Sequence, residues 1–577
     1  MTSTKPLRPL LVLLSAILLG WLSPRLAAAT LYNGIELPAP WPPGGRELTR
    51  RPLATPPYLI SPPAIIPIDT GRQLLVDDFL IERTDLQRTY HRPNHHPASP
   101  VIAPDRPWED NRSAVFSDGV WFDPADRLFK AWYWCKAGTC YATSTDGIRW
   151  QKPNLDVVPG TNIVVPFRAD FPRNSSTVWL DHFEPSRERR FKMFTVVTHR
   201  FPGAGGGNGN RKFMQFRTSA DGIHWQETGL SSNCGDRSTV FFNPFRQRWV
   251  FSLREFGEQV GRARGYHESP DVESGLSFGS RPGDNVWENA LASGAHDVRF
   301  WVGADELDPS REDLQLRRLP ERPWDLVPSQ LYNLDGVAYE SVILGLFSIW
   351  RGHPQDTERR PKINEVTVGF SRDGFHWTRP DRRAFLPVSE DPKAWNHGNV
   401  QSAGGCVLIV GDKLHFYMGG ATFSRGSRFP DPSSTGLAIL RRDGFASLDA
   451  DAQGGTLTTR PLRFSGRHLF VNADCSAGEL QVEVLDPAGN VLLPFSRGHC
   501  APLKADQTAM IVNWTEAPDL RALAGKPVKF RFHLKQGSLY SFWVSSDARG
   551  ASGGYVGAGG PGFSGPTDTI GPAGNRP

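Results

Sequence analysis

The amino-acid sequence predicts an all-β protein, a five-bladed β-propeller followed by a C-terminal antiparallel β-sandwich. Three observations predict it. The segment Ser-x-Asp-Gly-x-x-Trp occurs at 144–150, 219–225 and 371–377. From Asp146 to Asp221 is 75 residues and from Asp221 to Asp373 is 152, so the second interval is close to twice the first, the mark of a repeat. Degenerate copies at Ser269-Pro270-Asp271 and Arg442-Asp443-Gly444-Phe445 bring the number to five. Segments with helical periodicity are nearly absent, whereas aromatic and β-branched runs recur throughout. Beyond Gly454 the pattern changes to plain alternation, with Leu480, Val482 and Val484 separated by Gln481 and Glu483.

The repeated segment has local turn chemistry. Glycine takes positive φ at no steric cost, and the preceding Asp carboxylate accepts nearby backbone N–H groups. The Trp three residues past the Gly falls on the returning strand, where it packs under the turn. Each copy reads as a hairpin of one small antiparallel sheet, and its Asp is structural.

At the N-terminus Lys5 and Arg8 precede an apolar run from Pro9 to Leu22 and then Ala27-Ala28-Ala29. This predicts an export signal, residues 1–29, and a secreted or periplasmic protein with no membrane association beyond that signal. Residues 30–72 are a Pro-rich arm, and 73–450 form the propeller. The run from Gln73 to Glu82 reads as a strand leading into it. Five stretches within it share one plan, beginning near Arg112, Asn174, Asp236, Asp335 and Gly398. Residues 272–332 are an insertion between the third and fourth. The sandwich covers 451–548, and the Gly- and Pro-rich remainder, 549–577, is a loosely held tail.

A formal charge of +5 over 577 residues, with Lys and Arg scattered, excludes a nucleic-acid partner. Cys135 and Cys140 are placed to close a hairpin, and Cys475 and Cys500 to pair within the sandwich. No Cys/His spacing suggests a metal, and no cofactor is expected.

A propeller gathers the starts of its innermost strands around one axis. Those starts carry Asp110 and Arg112, Asp170 and Asn174, Asp236 and Arg237, Asp335 with Glu340, and His397, Asn399 and Gln401. Converging carboxyl groups suit glycosidic cleavage, in which one acid protonates the leaving oxygen while a second, ionised, serves as base or nucleophile. Asp236, Asp335 and Glu340 are the candidate catalytic carboxylates, and Asp110 is a fourth. Arg112, Arg237, His397, Asn399 and Gln401 are candidate substrate contacts, with Trp108 and Trp395 to stack on a sugar ring. Asp335 and Glu340 lie five positions apart on one expected strand and so face opposite sides of it. For each acid the alternative is a surface carboxylate or a turn cap.

With a propeller, a sandwich, Pro100-Val101-Ile102 and Pro107-Trp108-Glu109 ahead of the first blade, the chain resembles the glycoside hydrolase superfamily of families 32, 43 and 68. It is most similar to exported bacterial proteins described as glycosyl hydrolase family 32-like. The shared motifs match 75–82, 332–335, 338–341 and 398–402. The resemblance implies a glycosidase acting on an oligo- or polysaccharide. Family 32 enzymes carry Trp-Met-Asn-Asp-Pro-Asn-Gly, Arg-Asp-Pro and Glu-Cys motifs, and none of the three occurs here as such. Glu109 or Asp110 and Asp236-Arg237 are the nearest counterparts of the first two.

Three rival readings stand beside this one: a non-catalytic glycan-binding propeller, a phosphorylase, and a sialidase-like enzyme. The turn repeat is similar to the Asp box of sialidases, which has one residue between Asp and Gly where this chain has none.

Overall fold

The computed structural model describes residues 29–44, 49–200, 210–257, 259–278, 297–308, 310, 327–352, 363–422 and 432–571. The expected export signal lies outside them, apart from its last residue. The protein is nearly all β, and no described helix is long and apolar enough to cross a membrane.

Five antiparallel sheets follow one another along the chain. Strands Ala114–Asp123, Leu128–Cys135, Gly138–Ser144 and Ile163–Pro166 make the first, and Arg173–Leu180, Phe191–Arg200, Asn210–Ser219 and Gln226–Asn233 the second. Thr239–Asn243, Arg248–Gly257, Gly261–Ser269 and Arg299–Gly303 make the third. The 272–332 segment read as an insertion therefore supplies this sheet's last strand. Gln330–Glu340, Val342–Gly352 and Ile363–Ser371 form the fourth with Tyr555–Val556 from the C-terminal segment. In the fifth, Asn399–Ser402, Lys413–Ala421 and Ser433–Arg441 are completed by Asn94–His95 from the start of the chain. The first strands of the first four sheets pack against one another in order, Asn399–Ser402 of the fifth packs on Ile363–Ser371 and Val342–Gly352 of the fourth, and the fifth sheet returns to pack on Ala114–Asp123.

The repeated turns bond as their chemistry dictates. Asp146 Oδ1 accepts the N–H groups of Ile148 and Arg149 at 2.8 Å each, and Asp221 and Asp373 repeat the pattern. The turns also lock neighbouring sheets together. Trp132 of the first sheet donates its indole N–H to Gly222 O at 2.7 Å, and Tyr417 of the fifth donates to Gly147 O at 2.5 Å. Gly222 has φ +83°, and a Cβ there would lie 2.5 Å from the Trp132 ring, so both backbone and neighbour require glycine.

The C-terminal unit is two sheets around one core. Asp506–Ile511, His468–Asp474, Gly537–Ser545, Ala446–Ala450 and Gln87–Tyr90 form one, with Gln73–Leu74 joined to its Gly537–Ser545 strand. Glu479–Leu485, Lys529–Lys535, Gly455–Thr459 and Ile81–Thr84 form the other. Leu469, Val471 and Phe542 meet Val482, Phe530 and Phe532 between them. The strands between 73 and 90 thus belong to this unit and not to the five-sheet body. Leu31, Ile35, Leu37, Tyr58 and Ile66 of the Pro-rich arm are buried in the same core. Cys135 and Cys140 form a disulfide, whereas Cys475 and Cys500 are not joined; Cys475 donates to Ala505 O and Cys500 Sγ accepts from Val482 N–H.

The Gly- and Pro-rich C-terminal segment is not loose. Gly557 N donates to Ala338 O, Phe122 N to Ala558 O, Ala558 N to Val407 O and Ile409 N to Gly559 O, all between 2.8 and 3.1 Å. One short stretch thus crosses the first, fourth and fifth sheets. A Cβ on Gly560 would sit 1.8 Å from Ile409 O, so glycine here serves close backbone approach rather than flexibility.

Candidate active site

The first strand of the first sheet breaks register between Ala114 and Gly119, and Ser117 takes φ +63°. The bulge turns Ser117 and Asp118 inward. Asp118 holds it, accepting Phe116 N–H at 3.0 Å and a charge-assisted bond from Arg173.

Asp335 lies at the centre of the resulting cluster. Its Oδ2 accepts from Ser117 Oγ at 3.0 Å, Asn333 Nδ2 at 2.9 Å and Ser402 Oγ at 2.5 Å. Its Oδ1 is buried with no hydrogen-bond partner among the described residues. Burial raises the Asp335 pKa, and bonds from Ser402 and Ser117 and the charge of Arg237 only partly offset it. The site therefore shifts the carboxyl toward its protonated form.

Arg237 joins this carboxyl to polar residues of the neighbouring sheets. With φ +62°, it donates to Phe116 O at 2.9 Å, to Ser117 Oγ at 3.2 Å and to Gln401 Oε1 at 3.1 Å. Gln401 Nε2 donates to Asn399 Oδ1 at 3.0 Å, which also accepts from Asn364 Nδ2 at 2.7 Å. The chain Asn364–Asn399–Gln401–Arg237–Ser117–Asp335 thus links the fourth, fifth and first sheets through the segment preceding the third.

Arg264 donates to the backbone oxygens of Arg237 and Tyr332. Burial, reinforced by Arg237 and Arg254, lowers its pKa to about 9. Asp236 lies at the rim, with 28% of its side chain exposed and Arg254 at 3.6 Å.

Several guanidinium groups near this cluster lie against aromatic rings. Arg237 lies 3.5 Å from the Phe116 ring centroid, Arg112 4.7 Å from that of Trp134, and Arg254 4.3 Å from that of Phe256. Arg262 is 5.7 Å from Tyr332 and 5.4 Å from Trp350. Phe116, Trp134, Phe256 and Tyr332 remain partly exposed, as sugar-stacking surfaces require. Among the described residues no group of His, Cys, Asp and Glu is arranged to hold a metal ion.

No family model and no curated protein matches the chain. Among solved structures it is similar to an N-acetylgalactosamine deacetylase from F. plautii in complex with blood group B trisaccharide. That match has 13% identity over 63% of this chain and 96% of the other, with a TM-score of 0.38. A GH130 structure, from work on glycoside hydrolases that target β-1,2 mannosidic linkages, matches at 12% identity over 64% and 96%, with a TM-score of 0.35. Fructofuranosidase from Schwanniomyces occidentalis complexed with fructose matches at 10% over 78% and 97%, with a TM-score of 0.32. These solved structures are glycan-processing proteins. Likeness of this size does not transfer an activity.

Several candidates stand elsewhere. Glu340 is the last residue of the strand whose middle carries Asp335. Its carboxylate accepts Arg72 N–H at 3.1 Å, Arg442 Nη2 at 3.0 Å and Ser552 Oγ at 2.8 Å, fully buried against the C-terminal segment. It belongs to an ion cluster with Arg72, Arg442, Asp443 and Asp568, not to the axis. Asp110, with φ 44°, turns outward to Lys136, whose hydrogen bond holds its pKa below the ordinary carboxylate value.

Trp108 donates to Asn162 Oδ1 at 2.8 Å and packs on the core. Trp395 fills the space over Gly420 and Gly436, where a Cβ would lie 2.0 and 2.1 Å from its ring. Both indoles are partly exposed, Trp108 with its N–H committed to Asn162 and Trp395 with its ring packed over Gly420 and Gly436. His397 is buried with Nδ1 2.9 Å from Ser389 O and shapes its own loop. Arg112 lies over Trp134.

The aromatic residues that reasoning from sequence missed share a signal. Trp134 and Phe256 each stand one residue before the end of the second strand of their sheet.

Proposed function

We propose that the five sheets are the blades of a propeller, that the two-sheet unit is an appended sandwich, and that the chain is an exported glycan-acting enzyme, a glycoside hydrolase working at the propeller axis. The observation that carries this reading is Asp335: a buried carboxyl held through one oxygen by three donors, its other oxygen unclaimed, below a rim of aromatic rings and guanidinium groups. In this reading Asp335 is the general acid. Its proton passes to the glycosidic oxygen as the bond from the anomeric carbon to that oxygen breaks. Asp236, at the rim, is the ionised partner that activates water or attacks the anomeric carbon.

A second reading has its own support. Asp335 Oδ1 has essentially no solvent-accessible surface, which suits a structural acid beneath a non-catalytic binding platform. The experiment is product release from a broad panel of oligo- and polysaccharides, with and without inorganic phosphate, by the mature protein and by Asp335→Asn. Release by the parent that is lost in a folded mutant supports hydrolysis, or phosphorolysis if phosphate is required. Binding without release sustains the platform reading and overturns the enzyme.

A further inference from the structure

Beside the axis, a cavity of about 550 Å³ opens over the hairpin closed by Cys135 and Cys140. Arg112, Lys136 and Arg173 line it with Trp134 and Phe167, and no carboxylate does. Phe167 is 53% exposed and the Lys136 side chain 64%. Lys136 pairs with Asp110 and Arg173 with Asp118, and neither acid lines the cavity. Trp134 is common to both places: it lines the cavity and lies 5.9 Å from Phe116, the ring on which Arg237 rests. The cavity is thus continuous with the aromatic rim. Its volume lies within the roughly 300–1,000 Å³ of small-molecule sites.

Resting on the glycan reading of the axis, we propose that this cavity is a subsite for a negatively charged sugar residue, a uronate or a sulfate ester, on the same glycan. Trp134 and Phe167 offer apolar faces to a sugar ring. Arg112 presents a planar donor fork suited to the two oxygens of a carboxylate or sulfate, and Lys136 a point charge. Arg173, fixed to Asp118 and to Thr139 Oγ1 at 3.0 Å, forms the cationic wall. The disulfide holds the hairpin that carries Trp134 and Lys136, so the charges are in place before the ligand arrives.

The test is calorimetric titration of the mature full-length protein with an oligogalacturonate, a sulfated carrageenan oligosaccharide and a neutral galacto-oligosaccharide of equal length, with inorganic sulfate alone as a fourth ligand. One or both acidic ligands are expected to bind at least about tenfold more tightly than the neutral one, and which of them does identifies the anion. Arg112→Gln and Lys136→Gln should each weaken the acidic ligand about tenfold and leave the neutral one unchanged. Raising the salt concentration should narrow the preference. Phe167→Ala, at an exposed position that folding tolerates, should weaken acidic and neutral ligands alike. Equal affinity for neutral and acidic sugars, an unchanged preference in both charge variants, or inorganic sulfate binding as tightly as the acidic sugar overturns the subsite and leaves the glycan reading standing. Binding of no oligosaccharide overturns both.

Discussion

Ser117 and Asp335 stand 218 residues apart in the chain, and the serine hydroxyl donates to the aspartate carboxylate at 3.0 Å. The same hydroxyl accepts from Arg237 and, at 2.8 Å, from Asn333 Nδ2. One small side chain on a bulge therefore couples the buried acid to the guanidinium beside it. Replacing Ser117 by Ala strips a donor from the ionised form of Asp335, so the acid's pKa should rise further and the corresponding limb of the pH–rate profile should move to higher pH. Arg237 and Asn333 also lose an acceptor, at a stability cost of about 1–3 kcal/mol. An unmoved pH profile would detach Asp335 from the chemistry.

Asp335→Asn removes the transferable proton and keeps a similar shape. Since burial already favours the neutral carboxyl, the substitution should leave the melting curve nearly unchanged while lowering turnover about 10²–10⁴-fold. Single-turnover kinetics on the substrate found by the panel provide the measurement.

Glu340 gives the opposite expectation. Two guanidinium groups, Arg72 and Arg442, face three carboxylates there, so Glu340→Gln leaves two of each; its amide NH2 meets groups that donate to Glu340, so stability should fall by about 1–3 kcal/mol while the activity of the folded protein is preserved. Arg442→Met strands Glu340 and Asp568 and should cost about 3–5 kcal/mol in urea unfolding. Loss of turnover in folded Glu340→Gln would return Glu340 to the site.

Gly560→Ala forces a methyl group toward Ile409 O, 1.8 Å from the ideal Cβ position. The expected loss is about 1–3 kcal/mol or more, with earlier proteolytic cleavage after Arg549 as the segment detaches.

Acid should unfold the protein partly through Asp308. Burial opposes its ionised form, yet Arg379 at 2.6 Å and Arg382 lower its pKa from 3.8 to about 2. A carboxylate whose folded pKa is depressed stabilises the fold above its unfolded pKa and loses that contribution as pH falls through the folded value. About 2 kcal/mol should disappear between pH 4 and pH 2, and Asp308→Asn should flatten that part of the stability curve.

The repeated turns were legible in the sequence because their chemistry is local: the carboxylates of Asp146, Asp221 and Asp373 accept from the Ser two positions before and the backbone N–H groups two and three positions after. What those turns dock against was not, since Trp132 and Tyr417 come from neighbouring sheets. Asp335 stood out as an acid in an apolar run, although the strand opens five residues earlier, at Gln330, and carries Asp335 at its middle. Glu340 misled because spacing along a strand gives the side a residue faces, not which end of the strand meets the axis. Trp108 and Trp395 were chosen for adjacency to inner strands, whereas stacking surfaces depend on what covers a ring in three dimensions. The C-terminal segment misled for a compositional reason: Gly and Pro mark a loose tail and a chain threaded against other backbones equally well, and only the partners distinguish them.

The fifth sheet is finished by Asn94–His95, and nearby Ser99 bonds Leu437, 338 residues further on. A chain leaving the ribosome N-terminus first therefore exposes these residues, with the strand edge they will cover still unmade, for most of its synthesis. At about 5–20 residues per second that interval lasts tens of seconds. Throughout it the early segment must be kept from pairing elsewhere, so the demand for a chaperone should be greatest just before the last sheet appears.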